Sequence, residues 1–119
     1  MPVIEHAERA KTLPPPPHVV WADLVDPRTE GPRPWMVLEA GETTPRVLES
    51  VAPTLVVWSS LWPDRPDDQV RLELSRAGAQ TRLRVVLLSP EPPDGPISSA
   101  MAHRVSQLLF NDLRLTYGG

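Results

Sequence analysis

Three histidines are the side chains best suited to metal or acid–base chemistry, but their positions favour neither. His6, His18 and His103 lie far apart, and none belongs to a His-x-x-x-His pair of the kind that binds a metal from one helix face. The chain has no cysteine to complete a zinc site or form a disulfide. His103 falls off the apolar row of the last helix, so we expect it on the surface. The sequence therefore predicts no metal ion and no thiol chemistry.

The acidic turn at residues 64–68, where three aspartates surround Arg65, is a second polar candidate. It could hold a cation or cover the mouth of a cavity. Its aspartates lack the alternating spacing and the glycine of a calcium loop, so we expect a solvated turn with local hydrogen bonds. The serines at 59–60 lack the G-x-S-x-G setting of a nucleophile.

The tryptophans and methionines are better candidates for binding. A buried indole contributes a large apolar surface and an N–H that needs an acceptor, while a methionine side chain adapts to ligands of different shape. We expect Trp35 and Met36, which follow a proline-rich loop, to face the last helix; the same residues would also fill a solid core. The predicted lining of a pocket is apolar throughout: Trp35, Met36, Trp58, Leu72, Val85, Met101, Val105 and Leu109.

The last helix must position part of that lining. Pro96 is the last of 16 prolines, and apolar residues then recur at every fourth position, which places them on one helix face. Ser98 is the expected N-cap, and Gly118 marks the end. The apolar row consists of Ile97, Met101, Val105, Leu109, Leu113 and Tyr117.

The middle of the chain predicts β-strands. Residues 46–51 and 55–62 are β-rich and are separated by the turn signal Ala52-Pro53. Residues 70–74 and 82–87 alternate apolar and polar side chains, as half-buried strands do.

Charge predicts how the last two strands pair. A two-residue loop would set Arg71 opposite Arg84, whereas a four-residue loop at 77–80 sets Glu73 opposite Arg84. Opposite charges stabilise such a pair by about 0.2–1 kcal/mol and like charges destabilise it, so we favour the second register.

The face of the sheet that Trp58 occupies stays open. A four-residue turn at 63–66 pairs Val57 with Leu72 and leaves Val56 and Trp58 on the convex face. A bulge or an odd-length loop would instead turn Trp58 inward.

The N-terminal segment 3–13 fits either a strand or a helix. The prolines at 14–17 end it. Residues 18–25 then predict a short helix that stops near Asp26, because Pro27 disfavours the helical conformation before it.

Composition restricts the class of protein. With 119 residues we expect one domain over 1–119, because two independent cores would be too small. The net charge is −3 and no Lys/Arg run tracks phosphates, so no nucleic-acid binding is predicted. We find no signal-peptide pattern and no apolar run of about 18 residues, and therefore expect a cytoplasmic protein without membrane insertion.

The sequence VWADLVDP at 20–27, followed by Trp35, resembles the SRPBCC (START-like) superfamily. The most similar branch comprises small bacterial proteins related to the C-terminal domain of the activator of Hsp90 ATPase. The segments 56–66 and 108–117 support the same resemblance, which spans nearly the whole chain. Because these motifs are structural, they are specific for fold and weak for activity.

The resemblance implies an α+β helix-grip fold. In this fold a strand at about residues 3–13 precedes two short helices, and a curved antiparallel sheet of about five to six strands grips the long C-terminal helix. The chain is short between Leu38 and Arg46 compared with larger members, which bears on the size of any pocket.

Three functions follow from the resemblance. Superfamily members commonly hold hydrophobic molecules between sheet and helix, so binding of a hydrophobic small molecule or lipid, without a cofactor, is the first hypothesis. The second is a protein-interaction module, either co-chaperone-like or a homodimer, which would use Val56 and Trp58 on the convex face. The third is a cyclase or hydrolase. Glu42, Glu49 and His6 are its only candidate groups, so we favour a protein that is not an enzyme.

Overall fold

An antiparallel sheet of five strands, in the order β1-β5-β4-β3-β2, forms one layer of the fold. The computed structural model describes residues 2–118. Because β1 and β2 are the edge strands, consecutive strands from β2 to β5 are neighbours, and β1 closes the far edge beside β5. The strands are β1 (Ile4–Leu13), β2 (Val47–Val51), β3 (Leu55–Ser59), β4 (Gln69–Ala77) and β5 (Gln80–Ser89).

Two helical segments complete the fold. The short helix α1 (Pro17–Val25) begins with a proline in its first turn, where the missing N–H has no helical partner to lose. The long helix α2 is α-helical over Gly95–Gln107 and continues with wider π-helical turns over Leu108–Leu113. No helix within the described part of the chain is long and apolar enough to cross a bilayer.

The prediction of two short helices after the first strand is wrong. Between β1 and β2 the structure forms α1 alone. Pro27 ends that helix, and the following loop contains two more prolines and Gly31 at a positive φ of 81°. A helix cannot continue through such a segment, because proline lacks the N–H donor and a left-handed residue breaks the helical path.

The N-cap of α2 also differs from the prediction. Asp94, not Ser98, caps the helix, and its carboxylate accepts a hydrogen bond from the Ile97 N–H at 3.1 Å. The helix starts earlier than expected because Pro96 is tolerated in its first turn. Ser98 is buried instead and bonds to β1.

The register of β4 and β5 is confirmed. Glu73 lies opposite Arg84, and the two side chains form an ion pair at 2.8 Å. The strands extend further than predicted, to Ala77 and Gln80, so that only two residues make the turn. Gly78 has a positive φ of 65° there, a conformation that glycine adopts without steric strain.

The convex face of the sheet carries a network of ion pairs. Arg84 contacts glutamates of β1 and β4, and Arg71 bridges the same two strands. Charged side chains therefore occupy much of this face, where the interaction hypothesis required an apolar patch. The members of the network are Glu5, Glu8, Arg71, Glu73 and Arg84.

Trp58 faces the core, contrary to the pairing predicted from a four-residue turn. Val56 lies opposite Leu72 and Trp58 opposite Val70, one residue away from the predicted register. The connection between β3 and β4 spans residues 60–68, which permits this shift. Because side chains alternate across a strand, a shift of one residue moves Val56 and Trp58 to the concave face, where both are fully buried.

The core lies between this concave face and α2. Four members of the apolar row, Met101, Val105, Leu109 and Leu113, are buried in a single cluster with side chains from the strands. Ile97, at the start of the row, is exposed, and Tyr117 at its end is partly buried.

Candidate functional site

The eight residues predicted to line a pocket lie together in the buried core. All belong to one cluster, and none is more than 7% exposed. Two of them also reach the surface, since Trp35 and Met101 each line a groove that opens to solvent. That the eight residues contact a ligand stays a prediction.

The first groove, which we call the Trp35 groove, lies between the loop before Trp35 and the end of the C-terminal helix. Its volume of about 550 Å³ is within the range of about 300–1,000 Å³ usual for small-molecule sites. Val37 and Leu115 contribute exposed apolar side chains, with 60% and 63% of their surface accessible. The lining consists of Arg33, Pro34, Trp35, Val37, Asp112, Leu115, Thr116 and Gly118.

Trp35 connects this groove with the core. Its ring stacks on Trp58 with centroids 6.4 Å apart and planes inclined by 26°. The indole N–H of Trp58 donates to the carbonyl oxygen of Leu24 at 2.8 Å. The N–H of Trp35 is also buried but has no acceptor among residues 2–118. An unpaired buried donor destabilises a fold by about 1–3 kcal/mol, so this N–H is the group that an incoming acceptor would stabilise.

The loop before Trp35 is shaped by its backbone. The N–H groups of Trp35 and Met36 both donate to the carbonyl oxygen of Arg28, at 3.0 Å each. Within the loop, Gly31 and Arg33 have positive φ values of 81° and 57°. The left-handed conformation is strained for a side chain such as arginine, and such strain is often found near functional sites.

The opposite wall of the groove is held by Tyr117. Its hydroxyl donates to the carboxylate of Asp23 on α1 at 2.6 Å, and Arg28 lies 3.9 Å from the same carboxylate. Burial, followed by the hydrogen bond to Asp23, raises the pKa of Tyr117 well above its ordinary value. The phenol therefore stays a donor and fixes the end of the C-terminal helix against α1.

The second groove, which we call the Met101 groove, lies on the other side of the segment 37–42. Its volume is about 530 Å³. Arg104 holds this segment to α2 because it donates to both carboxylate oxygens of Glu42, at 2.8 and 2.9 Å, and to the carbonyl oxygen of Val37 at 2.9 Å. The lining consists of Glu39, Ala40, Glu42, Trp62, Pro96, Ile97, Ala100, Met101, Arg104 and Gln107.

The acidic turn is solvated only in part, because Asp64 and Asp67 are exposed as predicted but Asp68 is not. Asp68 is buried and accepts a hydrogen bond from Arg65 at 2.7 Å. Arg65 also donates to the hydroxyl of Ser89 and the carbonyl oxygen of Glu91, at 3.0 and 2.6 Å. This network attaches the turn to the end of β5 and explains why Asp68 is tolerated inside.

The three groups considered for catalysis are engaged separately. Glu42 is paired with Arg104, whereas Glu49 is exposed on the edge strand β2. His6 Nδ1 lies 2.7 Å from the Ser98 hydroxyl, which also lies 3.0 Å from the His6 carbonyl oxygen. Burial lowers the pKa of His6 and favours its neutral form. These three side chains do not form a cluster that could transfer protons together.

The remaining polar candidates are on the surface. His18 and His103 are exposed, as expected for His103 from its position off the apolar row. Within residues 2–118, no three His, Cys, Asp or Glu side chains are grouped so that they could hold a metal ion.

Sequence reasoning missed most of the Trp35 groove. Leu115 lies off the apolar row and Arg33 lies in a proline-rich loop, so neither stood out. The one usable signal was Leu115 itself, a large apolar residue on the predicted polar face of the helix.

Comparisons of sequence find no relatives. No family model matches the chain, and no curated protein matches it significantly.

Comparisons of structure find the fold in several solved proteins, three of which follow. CalU16 from Micromonospora echinospora has a TM-score of 0.72 at 16% identity, covering 98% of this chain and 81% of that one. The Aha1 dimer from Colwellia psychrerythraea has a TM-score of 0.68 at 14% identity, covering 96% of this chain and 94% of that one. An AHSA1-like protein from Rhizobium etli has a TM-score of 0.54 at 22% identity, covering 90% of this chain and 80% of that one. At these identities the similarity shows the helix-grip fold alone, and it confirms the fold that the resemblance implied.

The ion pair between Glu42 and Arg104 makes a prediction about stability. Burial alone would raise the pKa of Glu42, but hydrogen bonds from Arg104 and from the Glu39 N–H, together with the charge of Arg104, lower it. A carboxylate with a lowered pKa stabilises the fold fully above its ordinary value of 4.5 and loses that effect as the pH falls through the folded-state pKa. Glu42→Gln should lower the free energy of unfolding at pH 7 by about 2 kcal/mol.

Urea unfolding at a series of pH values measures this effect. The difference between wild type and Glu42→Gln should shrink as the pH falls below 4.5. Glu49→Gln, a change of the same type on the exposed strand β2, is the control and should change stability by less than about 0.5 kcal/mol. Equal stability of Glu42→Gln and wild type at pH 7 would contradict the stabilising role of the pair.

Proposed function

We propose that this chain binds a hydrophobic small molecule or lipid, and that the ligand enters at the Trp35 groove. The observation that carries the proposal is the buried N–H of Trp35, which lacks an acceptor within residues 2–118 and belongs to a side chain lining an apolar groove. Sites for small molecules typically combine a concave apolar surface with a few such polar groups. The fold also supports the proposal, because the superfamily that the sequence resembles commonly holds hydrophobic molecules between sheet and helix.

The eight predicted lining residues fit this proposal as the inner wall. Trp35 is the contact between groove and core, and it stacks on Trp58 beneath it. A ligand that displaced or tilted Trp35 would meet Trp58 and then the side chains of α2. We propose further that residues 1–119 act as a single cytoplasmic domain.

The irregular end of the C-terminal helix supports a site at the same place. The π-helical turns span Leu108–Leu113 and include Asp112, which lines the groove. Leu115 and Thr116, two further lining residues, follow directly. Helices with wide turns pack less regularly, and π-helical turns are frequently found at functional sites.

Self-association is a second candidate function. The strand β2 is an edge of the sheet, and all of its residues are exposed, including Val47, Leu48 and Val51. An exposed apolar edge strand can pair with a second copy of the chain. The solved structure from Colwellia psychrerythraea, which shares this fold, is described as a dimer. The convex-face patch of Val56 and Trp58, on which the interaction hypothesis first rested, does not exist because both are buried.

Binding is tested with a panel of lipids and apolar aromatic compounds. Native mass spectrometry should detect a retained ligand, and at least one compound of the panel should raise the melting temperature. Leu115→Asp should weaken binding of that compound by at least about tenfold, because it replaces an apolar contact with a charge. Val51→Asp, an equally drastic change at an exposed apolar residue outside the groove, should bind like wild type.

Two results would contradict the binding proposal. One is the absence of both a retained ligand and a thermal shift across the whole panel. The other is binding by Leu115→Asp that equals binding by wild type.

Self-association is tested by sedimentation velocity over a range of protein concentrations. The wild type should form dimers, and Leu48→Lys should sediment as a monomer because a charge replaces an exposed apolar side chain on the free edge. Ile97→Lys, at an exposed apolar position on α2, is the control and should leave the dimer intact. A wild type that stays monomeric at every concentration overturns this second candidate.

A further inference from the structure

The Trp35 groove contains hydrogen-bond donors without acceptors. The N–H of Trp35 is buried and unpaired among the described residues. Arg33, which is exposed, also lines the groove, and its side chain makes no ion pair or hydrogen bond with any residue from 2 to 118. An arginine that lines a concave apolar surface without a carboxylate partner is suited to bind an anionic group of a ligand.

Two polar side chains of the lining, Asp112 and Thr116, make hydrogen bonds within the C-terminal helix. One carboxylate oxygen of Asp112 accepts a hydrogen bond from the Asn111 side chain at 2.9 Å. The hydroxyl of Thr116 donates to the carbonyl oxygen of Leu113 at 2.7 Å, which fixes its orientation. Asp112 therefore brings one negative charge to the same lining as Arg33.

The apolar part of the lining lies beside these donors. Pro34 and Trp35 follow Arg33 directly in the chain, and Val37 and Leu115 present large exposed apolar side chains to the groove. Hydrogen-bond donors and apolar side chains in one groove fit a molecule that combines a polar group with an apolar portion. The ligand would bring its acceptors to Arg33 and Trp35 and lay its apolar portion on Val37 and Leu115.

We infer that the ligand of the Trp35 groove is an amphiphile with a terminal carboxylate, bound through Arg33 and the N–H of Trp35. This inference rests on the proposed function and specifies its ligand class. The carboxylate supplies two acceptor oxygens, which matches the two donors, and its charge complements Arg33. Arg33 and Trp35 thereby select the carboxylate head group. Val37 and Leu115 make apolar contacts with the hydrophobic portion and do not distinguish its length or branching.

A matched pair of probes tests the inference. Decanoic acid and decan-1-ol carry the same chain, and only the acid is ionised at pH 7. Isothermal titration of the wild type should show the acid binding at least about tenfold more tightly than the alcohol, because a charged hydrogen bond is added to the same apolar contact.

Three variants locate the preference. Arg33→Gln should weaken binding of the acid and leave binding of the alcohol unchanged, so that the two probes bind with similar affinity. Asp112→Asn should tighten binding of the acid alone, since it removes from the groove a negative charge that repels the carboxylate of the acid. Arg76→Gln, at an exposed arginine on β4 outside the groove, is the control and should change neither probe.

The outcomes separate the inference from the function beneath it. If the wild type binds acid and alcohol equally, the carboxylate preference is wrong while hydrophobic binding stands. If the acid is preferred but Arg33→Gln keeps that preference, Arg33 is not the selecting residue. If the wild type binds neither probe nor any member of the lipid panel, the inference and the proposed function both fail.

Discussion

The stacked pair of Trp35 and Trp58 is the interaction on which the core and the groove both depend. Trp58 comes from β3 and Trp35 from the loop after α1, so their contact joins the sheet to the most irregular part of the chain. The two indoles differ in one respect, because Trp58 donates to Leu24 and Trp35 has no acceptor among the described residues. The Trp58 N–H is therefore paired within the core, whereas Trp35, a residue that lines the groove, has a buried donor without an acceptor among residues 2–118.

Polar side-chain contacts attach the C-terminal helix to three different parts of the fold. Ser98 bonds to His6 on β1, Arg104 bonds to Glu42 in the segment 37–42, and Tyr117 bonds to Asp23 on α1. Between these polar contacts, buried apolar side chains of the helix pack on the sheet. Lifting the helix as a whole would break all three contacts together. Entry of a ligand through the open grooves beside the helix, with local movement of Trp35, disturbs far less of the structure.

The sequence predicted those parts of the fold that depend on local pattern. The apolar row from Met101 to Leu113 and the Glu73–Arg84 pair each reflect an unambiguous periodicity or charge pairing. The orientation of Trp58 depended on the connection 60–68, whose length and turns carry no periodicity, and a shift of one residue there reversed the face. The prediction of the N-cap was wrong because two suitable capping residues, Asp94 and Ser98, lie close together in the sequence. Asp94 caps the helix, and Ser98 instead bonds to His6 on β1.

The candidate site was predictable only in part for a related reason. Trp35 was recognisable as a large aromatic residue after a loop. Arg33 and Leu115 line the same groove although they are far apart in the sequence, and no local sequence pattern predicts that they share it. The packed core likewise could not be distinguished from an empty cavity by pattern, because the same apolar residues would line either one.

The indole N–H signals of the four tryptophans give the most direct test of the central claim. In a ¹⁵N–¹H correlation spectrum, the Trp35 signal is identified by its loss in Trp35→Phe, and the protein is then titrated with a ligand from the panel. The account predicts that the Trp35 signal moves downfield as its N–H gains an acceptor, while the Trp58 signal, already bonded to Leu24, changes little. A bound ligand that leaves the Trp35 signal in place would contradict the account.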